Sequence, residues 1–431
     1  MDHGKRLQDA VRECEQGLDR CLVLDAAWSA LSPTVRAVLG SRLVDVNLPG
    51  PSKAWGAFTG GPADTIEQIT RSLVDGLFGT AHVELRPLSG SLANGLATVA
   101  LTAPGETIVM PPEWAFGHKS LGQRGYPGSS GRRILEMPWS AATFGPDPDG
   151  LRDLLRRERA ALVTLGLSRT LFPEPMAEVA AIGHDAGATL LYDGAHVLGL
   201  IAGGVFPNPL RAGFDVLTGS THKTLPGPVG GIVMCRAAAD LDRVAKLGDA
   251  WLSTYGTARV AALTQTLAEM AEDGSRFTRA IVDNAQRLGA ALDDAGFEVL
   301  GRDRNFTATH QVLVDITGLI DPREAGARLA AGGVIASPSG RADRRLRDGR
   351  SDGWWLRLGT SVLTRLGMGA REMGEVAAIL ARLLRHGEDP AMVAKNVGDL
   401  AGRFTTVHYA LESSNGTPPS AESSAIGSRT R

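Results

Sequence analysis

Strand-forming runs recur along the first two-thirds of the chain with helix-forming segments between them. This alternation restricts the fold more than any other feature. Glu106–Met110 (ETIVM), Ala161–Leu167 (ALVTLGL), Ala188–Asp193 (ATLLYD), Phe214–Thr218 (FDVLT) and Gly231–Cys235 (GIVMC) read as buried strands. Gly150–Arg159 and Pro175–Ala186 between them read as amphipathic helices. Such a repeat predicts an α/β domain around a mainly parallel sheet, with ligands beyond the carboxyl ends of its strands. From about Asp273 the pattern changes to a helix over Ser275–Ala295, strands at Phe297–Leu300, Gln311–Ile316 and Trp354–Leu358, and a helix over Pro322–Ala331. A smaller C-terminal α+β domain is expected there. The division is an N-terminal helical arm (1–40), a large domain (41–285), a small domain (286–405) and a tail (406–431). The Ser, Gly and Pro content of that tail cannot offset its ordering entropy, so it is expected to be disordered.

Bulk properties remove several classes of function. The formal net charge of the 431 residues is only -2, which implies no polyelectrolyte partner and argues against nucleic acid. Cys14, Cys21 and Cys235 have no CxxC spacing, which suits a reducing compartment and no disulfide frame. The first twenty residues mix charge with apolar positions at helical spacing and lack the apolar core of a signal peptide, and no later run is long enough to span a membrane. A cytoplasmic protein is expected. No H-E-x-x-H or paired CxxC supports a metal centre, and no G-x-x-x-x-G-K-[ST] supports a nucleotide site. Gly349–Gly353 fits G-x-S-x-G, but an arginine-rich polar run precedes it where a nucleophile elbow needs a buried strand.

Lysine is rare: only Lys5, Lys53, Lys119, Lys223, Lys246 and Lys395. Lys223 stands out, because it follows a predicted strand and lies thirty positions after Asp193, which ends the strand before. Carboxylate and amine at the ends of neighbouring strands can meet across one ring. A pyridoxal-phosphate (PLP) site needs that pair: a carboxylate to keep the pyridine nitrogen protonated and a lysine to link the cofactor. The turn PLSGSLANG (87–95) places small and hydroxyl residues before a helical run, and backbone N–H groups at a helix start suit a phosphate.

The segment from Asp193 to Gly231, with D-x-A-H, the PNP turn and T-H-K-T-L-x-G-P-x-G-G, resembles serine hydroxymethyltransferase, a PLP enzyme of fold type I. The similarity extends in weaker form over most of residues 20–385. It implies that Lys223 is the Schiff-base lysine and Asp193 the pyridinium partner. His196 would neighbour the ring face or phenolic oxygen, with His222 and Ser220 flanking the lysine. Catalysis would then rest on Lys223, His196 and His222. Ser89, Gly90 and Ser91 become phosphate ligands, His118 the stacking histidine, and Ser168 a neighbour of the phenolic oxygen. In WLRLGTSVLTRLG (355–367), Arg357 matches the arginine that grips the substrate carboxylate, so an α-amino acid substrate follows. A homodimer is implied as well, with Ser253–Thr257 where the family makes a phosphate contact across the interface.

The departures narrow the chemistry. In the family a glutamate and two tyrosines near the N-terminal end serve folate chemistry and proton transfer. Here Val46 stands at the glutamate, Val44 at one tyrosine and Phe58-Thr59 at the tyrosine pair, after an insertion that brings Trp55. Asp45 compensates only if the register slips by one. The S-E-N motif becomes Ala27-Trp28-Ser29, and the arginine of a G-P-R-G-G turn becomes Val229. Aldol-type Cα–Cβ chemistry without folate, as in threonine aldolase and transaldolase relatives, is therefore expected, with specialised metabolism such as antibiotic biosynthesis as its setting. The alternatives are β-elimination or decarboxylation on an S-substituted cysteine, and folate-dependent hydroxymethyl transfer.

Overall fold

Apolar runs that are buried on both faces form the centre of a seven-stranded sheet in the computed structural model, which describes residues 2–46, 61–140, 143, 145–252, 254, 256–339 and 353–411. In chain order its strands are β1 (Val83–Glu84), β2 (Thr107–Met110), β3 (Arg133–Glu136), β4 (Ala160–Leu165), β5 (Thr189–Asp193), β6 (Val216–Ser220) and β7 (Gly231–Cys235). Their spatial order is β1-β7-β6-β5-β4-β2-β3. The pairs from β3 to β6 are parallel, and β7 runs antiparallel to both β6 and β1. The mainly parallel α/β reading therefore holds. Gly166, just past β4, has φ +102°, and a Cβ there would lie 2.2 Å from the Asp193 carbonyl oxygen. Only glycine lets the ends of β4 and β5 approach so closely.

Helix α1 (Gly90–Leu101) follows β1, with the Ser89 hydroxyl capping it by accepting from Leu92 N–H at 3.1 Å. Helix α2 (Thr257–Asp294) is 38 residues long. Its early residues Val260, Leu263, Leu267, Phe277 and Ile281 join the core of the large sheet, while Ala285, Leu288 and Leu292 join a second core. The sequence pattern predicts this helix only from Ser275. Its first turns are buried on most sides (Val260 to Thr264 are all buried), so no amphipathic stripe marks them.

The second core covers an antiparallel sheet of β8 (Glu298–Val299), β9 (Gln311–Asp315), β10 (Ser337–Ser339) and β11 (Trp355–Gly359), in the order β8-β9-β11-β10. The N-terminal segment docks against it. Leu22–Val23 pairs in parallel with Val334–Ile335, and Gly359 N–H donates to the Leu24 carbonyl at 2.8 Å. Among the described residues no helix is long and apolar enough to cross a membrane. The expectations for Trp55, Phe58-Thr59, Ser253, Tyr255, Gly349–Asp352 and the tail beyond Leu411 lie outside the described residues.

A fully buried ion pair ties α2 to the segment after β11: Arg365 Nη2 lies 2.6 Å from Glu269 Oε2, with both side chains at most 1% exposed. Ser32 Oγ donates to the other oxygen of Glu269 at 2.6 Å, so the same carboxylate also holds the N-terminal segment. Removing one partner strands a buried charge. Glu269→Ala is expected to lower stability by about 3–5 kcal/mol, measured by equilibrium urea unfolding against the unsubstituted protein.

Candidate active site

The parallel strands end on one side of the sheet, and the residues just past those ends gather there. Asp193 terminates β5, Ser220 terminates β6, and Lys223 follows three residues later. Ser168 lies past Gly166 at the end of β4, and His118 lies beyond β2. Together with Gly90, Ser91 and His196 these line one cavity. Thus eight of the residues predicted from sequence come together. Ser89 sits at the edge as the α1 cap, and a Cβ on Gly90 would lie 2.3 Å from Ser220 Oγ. His222 does not line the cavity; its Nδ1 accepts from Gly230 N–H at 3.4 Å on the neighbouring turn.

Asp193 is held from two sides. Its Oδ1 accepts from Ala195 N–H at 3.0 Å and its Oδ2 from Asn94 Nδ2–H at 2.6 Å. Asn94 in turn accepts from Thr218 Oγ–H at 2.6 Å and also donates to Ser120 Oγ at 3.1 Å. Ser120 Oγ is 2.7 Å from His118 Nδ1, so one polar chain joins α1, β5, β6 and the His118 turn. Asn94 was not among the predicted site residues, although it stands in the S-G-S-x-A-N motif. Only the packing of α1 over the strand ends reveals its role.

Lys223 Nζ lies 3.1 Å from His196 Nε2. Burial pulls the lysine pKa down to about 8, with Asp193 opposing and Arg357 assisting the fall. Burial also drives His196 well below the ordinary imidazole range, and the Lys223 and Arg357 charges push the same way. A neutral His196 can accept at Nε2, which leaves its proton on Nδ1. His118 and His222 shift downward as well, again chiefly through burial.

Arg357 comes from the small sheet, in the middle of β11, and reaches the cavity edge. Its Nη1 donates to the Ser168 carbonyl at 3.0 Å and lies 3.5 Å from His196 Nε2. Two further residues meet there that sequence reasoning did not find. Asp25 places a carboxylate oxygen 3.9 Å from Arg357 Nη2, on a segment whose next residue gives its carbonyl to His310 Nε2 at 3.1 Å. His310 stacks on His196 with ring centres 5.6 Å apart and an interplanar angle of 16°. Asp25 stands at the far end of the chain from Arg357, and no local motif could have linked them.

These residues suit a cofactor with an aldehyde, a basic ring nitrogen and a phosphate. A buried amine of lowered pKa faces a buried, doubly anchored carboxylate, beside the N-terminus of the twelve-residue α1. Comparison with known proteins agrees. The profile of the serine hydroxymethyltransferase family matches residues 4–380. The serine hydroxymethyltransferase of Methanocella arvoryzae is 36% identical over 422 residues, covering 95% of this chain and 96% of the relative. That of Methanopyrus kandleri is 37% identical over 418 residues, covering 94% and 95%. The crystal structure of L-threonine transaldolase from Pseudomonas fluorescens, in its internal aldimine state, superposes with a TM-score of 0.85 at 27% identity, covering 94% of this chain and 93% of that one. The chain therefore belongs to the serine hydroxymethyltransferase family and is an enzyme of PLP fold type I, with pyridoxal phosphate as its cofactor.

Proposed function

We propose that this enzyme makes or breaks the Cα–Cβ bond of a 3-hydroxy amino acid without folate, as a threonine aldolase or transaldolase does. One contrast carries the reading. The amino-acid half of the site is intact, with Lys223, Asp193, His196 and Arg357 gathered together, whereas the proton-transfer glutamate of the family is replaced by Val46. A valine cannot move a proton. Val44, at one tyrosine position, is 67% exposed. The likeness to a threonine transaldolase supports the same reading, while the names of the curated relatives favour hydroxymethyl transfer.

Bound pyridoxal phosphate supplies the electron sink at the α-carbon. The chain supplies the rest. Lys223 holds the cofactor, and Asp193, fixed by Asn94 and Ala195, keeps the ring nitrogen protonated. Ser89, Gly90, Ser91 and Ser220 would hold the phosphate, and His118 would face the ring. Arg357 takes the α-carboxylate; Nη1 also serves the Ser168 carbonyl, while Asp25, at 3.9 Å from Nη2, is beyond hydrogen-bonding distance of that donor. His196, held neutral, can accept the β-hydroxyl proton as the bond opens and return it. The substrate is thus an α-amino acid with an oxygen on Cβ.

We also propose a homodimer. The helix His3–Leu18 has no buried residue, yet Leu7, Val11 and Leu18 form an apolar stripe exposed at 66%, 48% and 46%. Light scattering on the purified holoenzyme is expected to give twice the 45.3 kDa chain mass, and a mass of one chain would remove this reading.

Two further measurements test the site. The holoenzyme is expected to release acetaldehyde from L-threonine with no tetrahydrofolate present, and added tetrahydrofolate should not hasten turnover of L-serine. Folate-dependent serine turnover would instead establish the hydroxymethyltransferase reaction, and pyruvate from an S-alkyl cysteine would establish β-elimination. Uptake of added pyridoxal phosphate by the apoenzyme should speed up as pH rises toward about 8 and then level off, because the neutral amine of Lys223 is the nucleophile. A lysine of ordinary pKa would keep accelerating to about pH 10, and Lys223→Ala should abolish the visible absorbance of the bound cofactor.

A further inference from the structure

Asp25 and Arg357 form an ion pair that stops short of contact. Asp25 Oδ1 lies 3.9 Å from Arg357 Nη2, although the arginine side chain is only 20% exposed and the aspartate 24%. A charge-assisted N–H···O bond closes to about 2.8 Å, roughly 1 Å nearer. Opposite charges this well shielded from water attract strongly. A restraint must therefore act on one of them.

The restraint lies in the chain around Asp25. Both its neighbours are buried and pinned through their carbonyls. Leu24 accepts from Gly359 N–H at 2.8 Å, and Ala26 accepts from His310 Nε2–H at 3.1 Å. Asp25 Oδ1 is itself taken by Ala27 N–H at 2.8 Å, which draws the carboxylate back over its own turn. A Cβ on Gly359 would lie 2.5 Å from the Ala26 Cα, so the turn rests directly on the end of β11. Among these anchors His310 supplies the one that reaches in from another segment through a side chain. It is itself fixed: its carbonyl accepts from Thr360 N–H at 3.1 Å, and its ring stacks on His196. A carbonyl can only accept, so the ring proton of the neutral His310 sits on Nε2.

We propose that His310 is a positioning residue that keeps Asp25 off Arg357, so that Nη2 remains available to the α-carboxylate of the substrate. At 3.9 Å the aspartate still favours the charged guanidinium without occupying it. Released from His310, the turn would let Asp25 close on Nη2 and compete with the substrate. The inference rests on Arg357 as the α-carboxylate site.

Glycine carries an α-carboxylate and no side chain, and its binding to the holoenzyme is read from the visible absorbance without turnover. His310→Phe keeps a ring against His196 but loses the donor. It is expected to weaken glycine about tenfold, the worth of one charge-assisted hydrogen bond withdrawn from the ligand. His310→Gln, whose amide N–H reaches about as far as the imidazole Nε2, should stay within about threefold of the unsubstituted enzyme. Asp25→Asn alone should bind glycine more tightly, because a repelling charge is gone, and added to His310→Phe it should restore the affinity. A purely structural role for His310 would not be rescued by a second substitution. Undiminished binding in His310→Phe, an equal loss in His310→Gln, or a loss that persists in the double variant would overturn the proposal. So would weaker binding in Asp25→Asn alone, which would make Asp25 a working partner of the arginine. Should His310→Phe not fold, His310→Met lacks the same donor and takes its place. Arg357→Gln separates the two readings: if it leaves glycine affinity unchanged, the assignment of the α-carboxylate to Arg357 fails. If it abolishes binding while His310→Phe does nothing, only the role of His310 fails.

Discussion

Burial of Lys223 pulls its pKa down to about 8, so this amine gives up its proton more readily than an ordinary lysine does. The surroundings of the lysine follow from that burial. Arg357 brings a positive charge to the edge of the same cavity, which disfavours a further charge on the histidines there. His196 and His310 meet this condition by staying neutral; burial takes His310 to about 3. Their stacked rings fill space next to two cations without adding a third charge. Asp193 and Asp25 are the carboxylates that favour the charged lysine, and they leave its pKa well short of the ordinary value.

Such an arrangement depends on a rigid frame. A side chain would block two close approaches: Gly166 against the Asp193 backbone, which joins the ends of β4 and β5, and Gly90 against the Ser220 hydroxyl, which seats α1 on the end of β6. Asn94 then spans Asp193, Thr218 and Ser120 with its single amide. A side-chain amide has few donors and acceptors, and here both of its ends are engaged, which fixes the orientation of the Asp193 carboxylate. The seven-stranded sheet thus brings Ser168, Asp193, Ser220 and Lys223 together at its strand ends, and the four-stranded sheet contributes Arg357 from a strand interior.

Much of this was legible from local pattern. The central strands were readable because continuous apolar runs bounded by turns have few other uses, and their ends fall within about two residues of the predicted ones. Strands β1 and β3 were not foreseen: Val83–Glu84 is two residues long, and Arg133–Glu136 is an edge strand with charged, exposed ends. The site divides in the same way. Asp193, Lys223 and Arg357 were recognisable from residue type and short-range motif. Asp25 and His310 carry no such mark, and Asn94, though it lies in the S-G-S-x-A-N motif, gains its partners as they do, only through tertiary packing between distant segments. His222 illustrates the converse: adjacent to Lys223 in sequence, it is turned to the Gly230 backbone.

The pairing of Leu22–Val23 with Val334–Ile335, completed by Leu24 and Gly359, bears on the order in which the protein can be made. On the ribosome this apolar segment emerges long before its partners. The seven-stranded sheet can condense earlier, with Asp193 and Lys223 already brought to one cavity. A nascent chain can therefore bring Asp193 and Lys223 together before Arg357 has emerged. The open edge of Leu22–Leu24 remains a point of exposure to chaperones, or to wrong partners, until synthesis has passed Gly359.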